Sequence, residues 1–187
     1  DEMSDQAERF YWALVTGLAA WGTVTLLLGL MGALYPLVFW LVGLAPLIIE
    51  WATRKQAPQA TGQNAVASKP RWSGLGIACS IVVTPFLLAM LFGALLPSTD
   101  FDVREYHLGG AKEFYQRGRI EMLPHNVYTS FPFLTEMLCL SGMVLKRDWF
   151  TGAQVGQVVL AMFAPLTALG LFVAARRWLG ITAAWFA

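Results

Sequence analysis

Five long apolar runs decide what this chain can fold into. A helix needs about 20 apolar residues to cross roughly 30 Å of hydrocarbon. The first run, 10–33, carries no charge and is broken by Leu34-Tyr35-Pro36, because proline removes a backbone donor and restricts the residue before it. A second run, 37–49, ends at Glu50-Trp51 and is short enough to need tilt or its flanks to cross. The third, 73–97, holds Pro85 in its middle, where a kink is expected. A fourth, 133–145, stops at Lys146-Arg147-Asp148, and a fifth, 150–175, stops at Arg176-Arg177. With 57% hydrophobic and 13% charged residues, the composition is that of an integral membrane protein. A net charge of +1 with no basic stripe argues against nucleic acid as a partner.

The expected fold is all-α: a polytopic transmembrane helix bundle with about five complete spans. Residues 53–72 are polar, punctuated by Gly and Pro, and carry Arg54, Lys55, Lys69 and Arg71 without an acid. By the positive-inside rule this linker is cytoplasmic. Alternation then places 98–131 on the outer face, returns the fourth run inward and sends the fifth out. Arg176-Arg177 would land outside, against the rule. The chain divides into an N-terminal hairpin (1–52), the linker (53–72) and a second membrane unit (73–187). The N-terminus is acidic, unlike a signal peptide. A start without Met and a final apolar run begun near the end suggest part of a longer polypeptide. Cys79 and Cys139 each sit in an apolar run and read as buried thiols.

Titratable chemistry concentrates between 101 and 138, which holds both histidines of the chain. From 103 to 117 the apolar residues Tyr106, His107, Gly110, Phe114 and Tyr115 recur near period 3.6. That pattern predicts an interfacial amphipathic helix stopped by Gly118. Asp102 and Glu105 form a capping-box spacing, so Asp102 reads as an N-cap. It also reads as a general base, and Asp100 and Glu105 complete the set of candidate carboxylates. Lys112, Arg117 and Arg119 suit either lipid headgroups or a clamp on a lipid-linked phosphate. In the loop 123–132, His125, Asn126 and Tyr128 offer hydrogen bonds and an aromatic face to a sugar, or simply form an aromatic belt. Ser130 before Pro132 reads as a helix start. Glu136, one turn into the fourth run, needs a polar cavity or a partner such as a loop arginine. His107 is a further candidate for substrate contact. A divalent metal held by Asp102, His107, His125 and Glu136 is conceivable, although the spacing matches no metal motif.

The order of these features resembles a known family. An apolar span leads to "DVREYHL", then a helix ending "YQRGRI", then "PHNVYTSFPFLTEML" opening the next span, with "LFVAARRWLG" later. This resembles the polytopic GT-C glycosyltransferases, especially bacterial relatives of protein O-mannosyltransferases, over about residues 75–187. The resemblance implies a polyprenyl-phosphate sugar as donor, an acceptor hydroxyl, and transfer on the outer side of a bacterial cytoplasmic membrane. It implies an acidic base in the first outer loop, matched best by Asp102 and next by Asp100. The rival reading is a non-catalytic membrane subunit whose loop charges bind a larger complex. A transporter is the weaker third, since it would want several intramembrane charges.

Overall fold

A computed structural model of the chain describes residues 2–54, 74–130 and 133–187. Those residues are all-helical, with no strand among them. Four long helical stretches are long and apolar enough to cross a membrane: Gln6–Leu30, Pro36–Thr53, Gly74–Ala94 and Trp149–Leu179. The first three belong to α1 (Glu2–Leu30), α2 (Pro36–Arg54) and α3 (Gly74–Ala94). The helices α4 (Leu108–Arg117) and α5 (Glu136–Lys146) follow. The last stretch divides at Met162 into α6 (Trp149–Ala161) and α7 (Phe163–Leu179), and α8 (Ile181–Phe186) folds back after Gly180. The expected break at Leu34-Tyr35-Pro36 separates α1 from α2. Pro46 and Pro85 lie inside α2 and α3 without ending them. Of the predicted linker, Thr53 and Arg54 are the end of α2, and 55–72 fall outside the described residues.

The fourth apolar run corrects the expectation of five spans. It folds as α5, 11 residues long, which is about 16 Å at 1.5 Å per residue and half a bilayer. Its residues from Glu136 to Val144 are all buried. Apolarity on every face is the mark of a helix enclosed by protein. The core follows from it: Met137, Leu140, Met143 and Val144 of α5 meet Phe39 of α2, Phe114 of α4 and Ala153 of α6. On the side of α1, the Trp21 indole N–H donates to Ser141 Oγ at 3.1 Å.

Taking the α1–α2 turn as the upper end, contacts place α5 in the upper half of the bundle. Leu134, just before it, packs on Gly22 of α1. Gly22 lies eight residues, about 12 Å, below the end of α1 at Leu30. Beyond the other end of α5, Arg147 lines one cavity with Leu34, Tyr35 and Pro36. The chain therefore descends after α4, whose exit is pinned by Ile120 N–H donating to Gly29 O at 2.8 Å. It climbs back as α5 and only then crosses as α6–α7. Arg177 reaches Glu8 near the start of α1 at 2.9 Å, and Gly170 packs on Tyr11. Arg176-Arg177 thus share the lower end with the end of α2 and the start of α3, opposite the 98–131 segment. The predicted placement beside that segment is corrected because α5 does not cross.

Close backbone contact holds α5 to α6. A Cβ on Gly142 would meet the carbonyl of Gly152, one on Gly152 would meet the backbone of Met143, and one on Gly156 would meet Cys139. Gly152 and Gly156 are a small-xxx-small pair of the kind that lets membrane helices approach.

Two measurements follow from this arrangement. In a background with Cys79 and Cys139 replaced, an impermeant maleimide outside sealed vesicles should label either Arg119→Cys or Arg177→Cys, never both. Labelling of both from one side would contradict the four-crossing path. Gly152→Val should lower stability in detergent by about 1–3 kcal/mol, whereas Gly17→Ala, with nothing within 4 Å of its added Cβ, should leave the melting temperature nearly unchanged.

Candidate functional site

The helical turn that opens the upper segment begins at Phe101, before α4 proper. Its N-cap is Asp100, whose Oδ1 accepts from Val103 N–H at 3.2 Å. The expected cap, Asp102, makes no such bond and stands exposed with helical backbone angles. This corrects the capping-box reading, since the helix starts earlier than the apolar period suggested. Residues Val103–His107 then form a π-helical turn before α4, a distortion often found at functional sites. The stop at Gly118 is as predicted, with φ +68° and its N–H returned to Phe114 and Tyr115 carbonyls.

One face of this stretch opens on a groove of about 460 Å³ between the top of α3, α4 and the start of α6. Pro97, Ser98, Arg104, Lys112, Trp149 and Gln157 line it. Arg104 and Lys112 are eight residues apart, about two helical turns, so they share a face. Lys112 Nζ lies 4.0 Å from the centroid of a Trp149 ring, a cation–π contact that holds the ammonium at the groove wall. Among the described residues no carboxylate pairs with either cation. The floor is built by Gln154, whose amide donates to the exposed carbonyl of Leu95 at 3.0 Å. Trp149 is aimed by the N-cap of α6, where Asp148 accepts from Thr151 N–H at 2.8 Å and Thr151 Oγ1–H at 2.7 Å.

The neighbouring face carries an imidazole–carboxylate pair. His107 Nδ1 lies 2.5 Å from Glu136 Oε1, and Thr135 Oγ1 donates to Glu136 Oε2 at 2.9 Å. Glu136 is buried at the first turn of α5, where the helix dipole favours its charge. The expected arginine partner is replaced by this histidine. The His107 ring sits 4.3 Å from Tyr106 and 6.2 Å from Phe133, centroid to centroid, and Tyr106 stacks on Tyr128 at 5.0 Å. Desolvation raises the Tyr106 phenol above its ordinary range, and Asp102, Tyr128, Asp100 and Glu136 add to the rise. Burial, with Glu136 second, pushes the Cys139 thiol up to about 12. Cys139 and Cys79 are both free thiols.

Several predicted site residues are occupied elsewhere. Arg117 is held by Glu121 at 2.7 Å and Glu113 at 3.6 Å, and Arg119 lies 3.4 Å from Glu121. The basic set is thus split, with two arginines neutralised and only Lys112 at the groove. His125 pairs with Glu113 at 3.0 Å. Asn126 is buried, and its amide donates to the Glu105 carbonyl at 3.1 Å, so it braces the loop where a sugar contact was expected. Glu105 itself stays exposed. The imagined metal set does not converge, because His125 turns to Glu113 while His107 turns to Glu136. No group of three or more metal-ligating side chains occurs among the described residues. Ser130 ends a 3₁₀ turn (Val127–Ser130), and α5 starts only at Glu136. Sequence reasoning missed Arg104, Trp149 and Gln157. The eight-residue spacing of Arg104 and Lys112 was its one available signal.

Against known protein families, known proteins and solved structures, the chain finds no match in any of the three. The arrangement stands on its own chemistry. Among the described residues the two cations of the groove have no carboxylate partner, which suits an anion, and His107 is an imidazole oriented by Glu136.

The cap of α6 gives a pH prediction. Hydrogen bonds from Thr151 hold the Asp148 carboxyl below its ordinary value. A depressed carboxylate contributes stability that is present above the unfolded value near 3.8 and is lost as pH falls through the folded value. Asp148→Asn should therefore flatten the fall of melting temperature on acidification below about pH 4. An unchanged acid profile would remove the cap from the account.

Proposed function

We propose that this chain is a membrane glycosyltransferase, or part of one, that moves a sugar from a polyprenyl-phosphate donor to an acceptor hydroxyl. The observation that carries the reading is the Arg104–Lys112 pair, unneutralised in a groove beside the top of α3 and α6. A lipid-borne phosphate reaches such a groove sideways from the bilayer. The arginine fork and the lysine ammonium bind its oxygens, and Gln157 adds a neutral donor. Phosphate leaves as a stable anion, so these cations stabilise the leaving group without a strong general acid. The family resemblance points the same way.

In this reading the lower end faces the cytoplasm. The linker joining α2 to α3 supplies four cations in a short stretch without an acid, and Arg176-Arg177 lie at the same end. The upper end, with the groove, faces outward from a bacterial cytoplasmic membrane. The subunit alternative draws on a different observation. The spans α2 and α3 leave most of their apolar surface uncovered, with α2 packed chiefly on α5, and α3 on α6 and α8. Lipid or the helices of a larger complex would cover them.

The groove is tested with a polyprenyl phosphate and the detergent-solubilised chain. Arg104→Ala with Lys112→Ala should weaken binding at least tenfold, as expected for losing two charge-assisted contacts of about 1.5–3 kcal/mol each. Arg117→Ala should leave binding unchanged. Equal affinity in the double variant would count against the groove as the donor site.

A further inference from the structure

We propose that the proton acceptor of this site is His107, oriented by Glu136, in place of the exposed Asp102. The inference rests on the transfer reading above and names its base.

Glu136 is the constraint. Its side chain is only 11% exposed, and a buried carboxylate persists where hydrogen bonds satisfy it. Both oxygens are engaged, Oε1 with His107 and Oε2 with Thr135. An ionised carboxylate can only accept, so the proton between the pair belongs to Nδ1 of His107. That sets the tautomer and leaves the Nε2 lone pair open, as in other carboxylate–histidine arrangements. The His107 side chain is 42% exposed. Its Nδ1 edge faces the buried glutamate, so the open edge is the one with Nε2. Tyr106 and Phe133 flank the ring and hold its plane. Leu108, the next residue, lines the phosphate groove.

Among the described residues the groups facing His107 are few. Tyr106 lies on its own turn, and Phe133, Thr135 and Glu136 come from the start of α5. Tyr128 stacks behind Tyr106, and Asp100 and Asp102 act on Tyr106 through space. Glu136 is the charged group among them in direct contact. By contrast, Asp102 has no side-chain capping bond to orient it.

The step balances. Nε2 takes the proton of the acceptor O–H as that oxygen bonds to the anomeric carbon. The bond from that carbon to the phosphate oxygen breaks, and its electron pair leaves on the phosphate in the Arg104–Lys112 groove. Glu136 stabilises the imidazolium until its proton passes to water. His107 is thus the catalytic residue and Glu136 its positioning residue.

Two readouts test this on the full chain. First, in a His125→Gln background His107 is the single histidine, and its ring nitrogen shifts in NMR report the tautomer. The Nδ1–H form is expected, with both forms appearing in Glu136→Gln. A dominant Nε2–H form in the parent would overturn the proposal whether or not transfer is observed. Second, His107→Asn keeps an N–H toward Glu136 but lacks Nε2. Its kcat/KM for transfer should fall by about 10²-fold or more, with binding of polyprenyl phosphate unchanged. Asp102→Asn should stay within about twofold of the parent. Glu136→Gln should also lower kcat/KM, and Glu136→Asp should restore it. A His107→Asn enzyme at full rate, or a loss confined to Asp102→Asn, overturns the assignment. A parent chain that transfers nothing overturns the transfer reading and the base with it, while the tautomer still reports the pair.

Discussion

Everything at the upper end of this molecule depends on how closely α5 and α6 approach. Gly142, Gly152 and Gly156 let the two backbones touch, and no larger side chain fits between them. Membrane helices have no hydrophobic force drawing them together, so packing at small residues must supply the attraction. With α6 on one side, α1, α2 and α4 close the remaining faces of α5. An 11-residue helix cannot satisfy a bilayer by itself, but enclosed by protein it need not.

That enclosure places a carboxylate where a spanning helix could not hold one cheaply. Glu136 enters at the lower end of α5, two residues after the Leu134 that packs on Gly22, and meets the histidine that ends the π-helical turn. The dipole of α5, Thr135 and His107 together offset the cost of burial. Arg117 and Arg119 are cancelled by Glu113 and Glu121, whereas among the described residues no carboxylate pairs with Arg104 or Lys112.

The groove belongs to three elements that are distant in sequence. The segment after α3 contributes Pro97 and Ser98, the π turn and α4 contribute the cations, and α6 contributes Trp149 and Gln157. Asp148 sets the start of α6, and Gln154, itself in the lining, ties α6 to Leu95. Rigid elements hold the cations at the groove wall, Lys112 against the Trp149 ring.

By itself the sequence determined the helical class, the breaks at Leu34-Tyr35-Pro36 and Gly118, and the segment in which chemistry would concentrate. Those are local consequences of hydrophobicity, proline and glycine, readable over a turn or two. The run 133–145 was readable as apolar and helical, but whether it crosses depends on what surrounds it. Its apolarity and the alternation of sides read as a span, although a run this short also suits a core helix. Only the contacts of Leu134 with Gly22 and of Gly142 with Gly152 decided between them, and with that the side on which Arg176-Arg177 emerge. The partners of the charged residues were likewise beyond the sequence. His107 and Glu136 are 29 residues apart, and Lys112 and Trp149 meet across two helices, because pairing through space is set by packing and leaves no periodic trace along the chain.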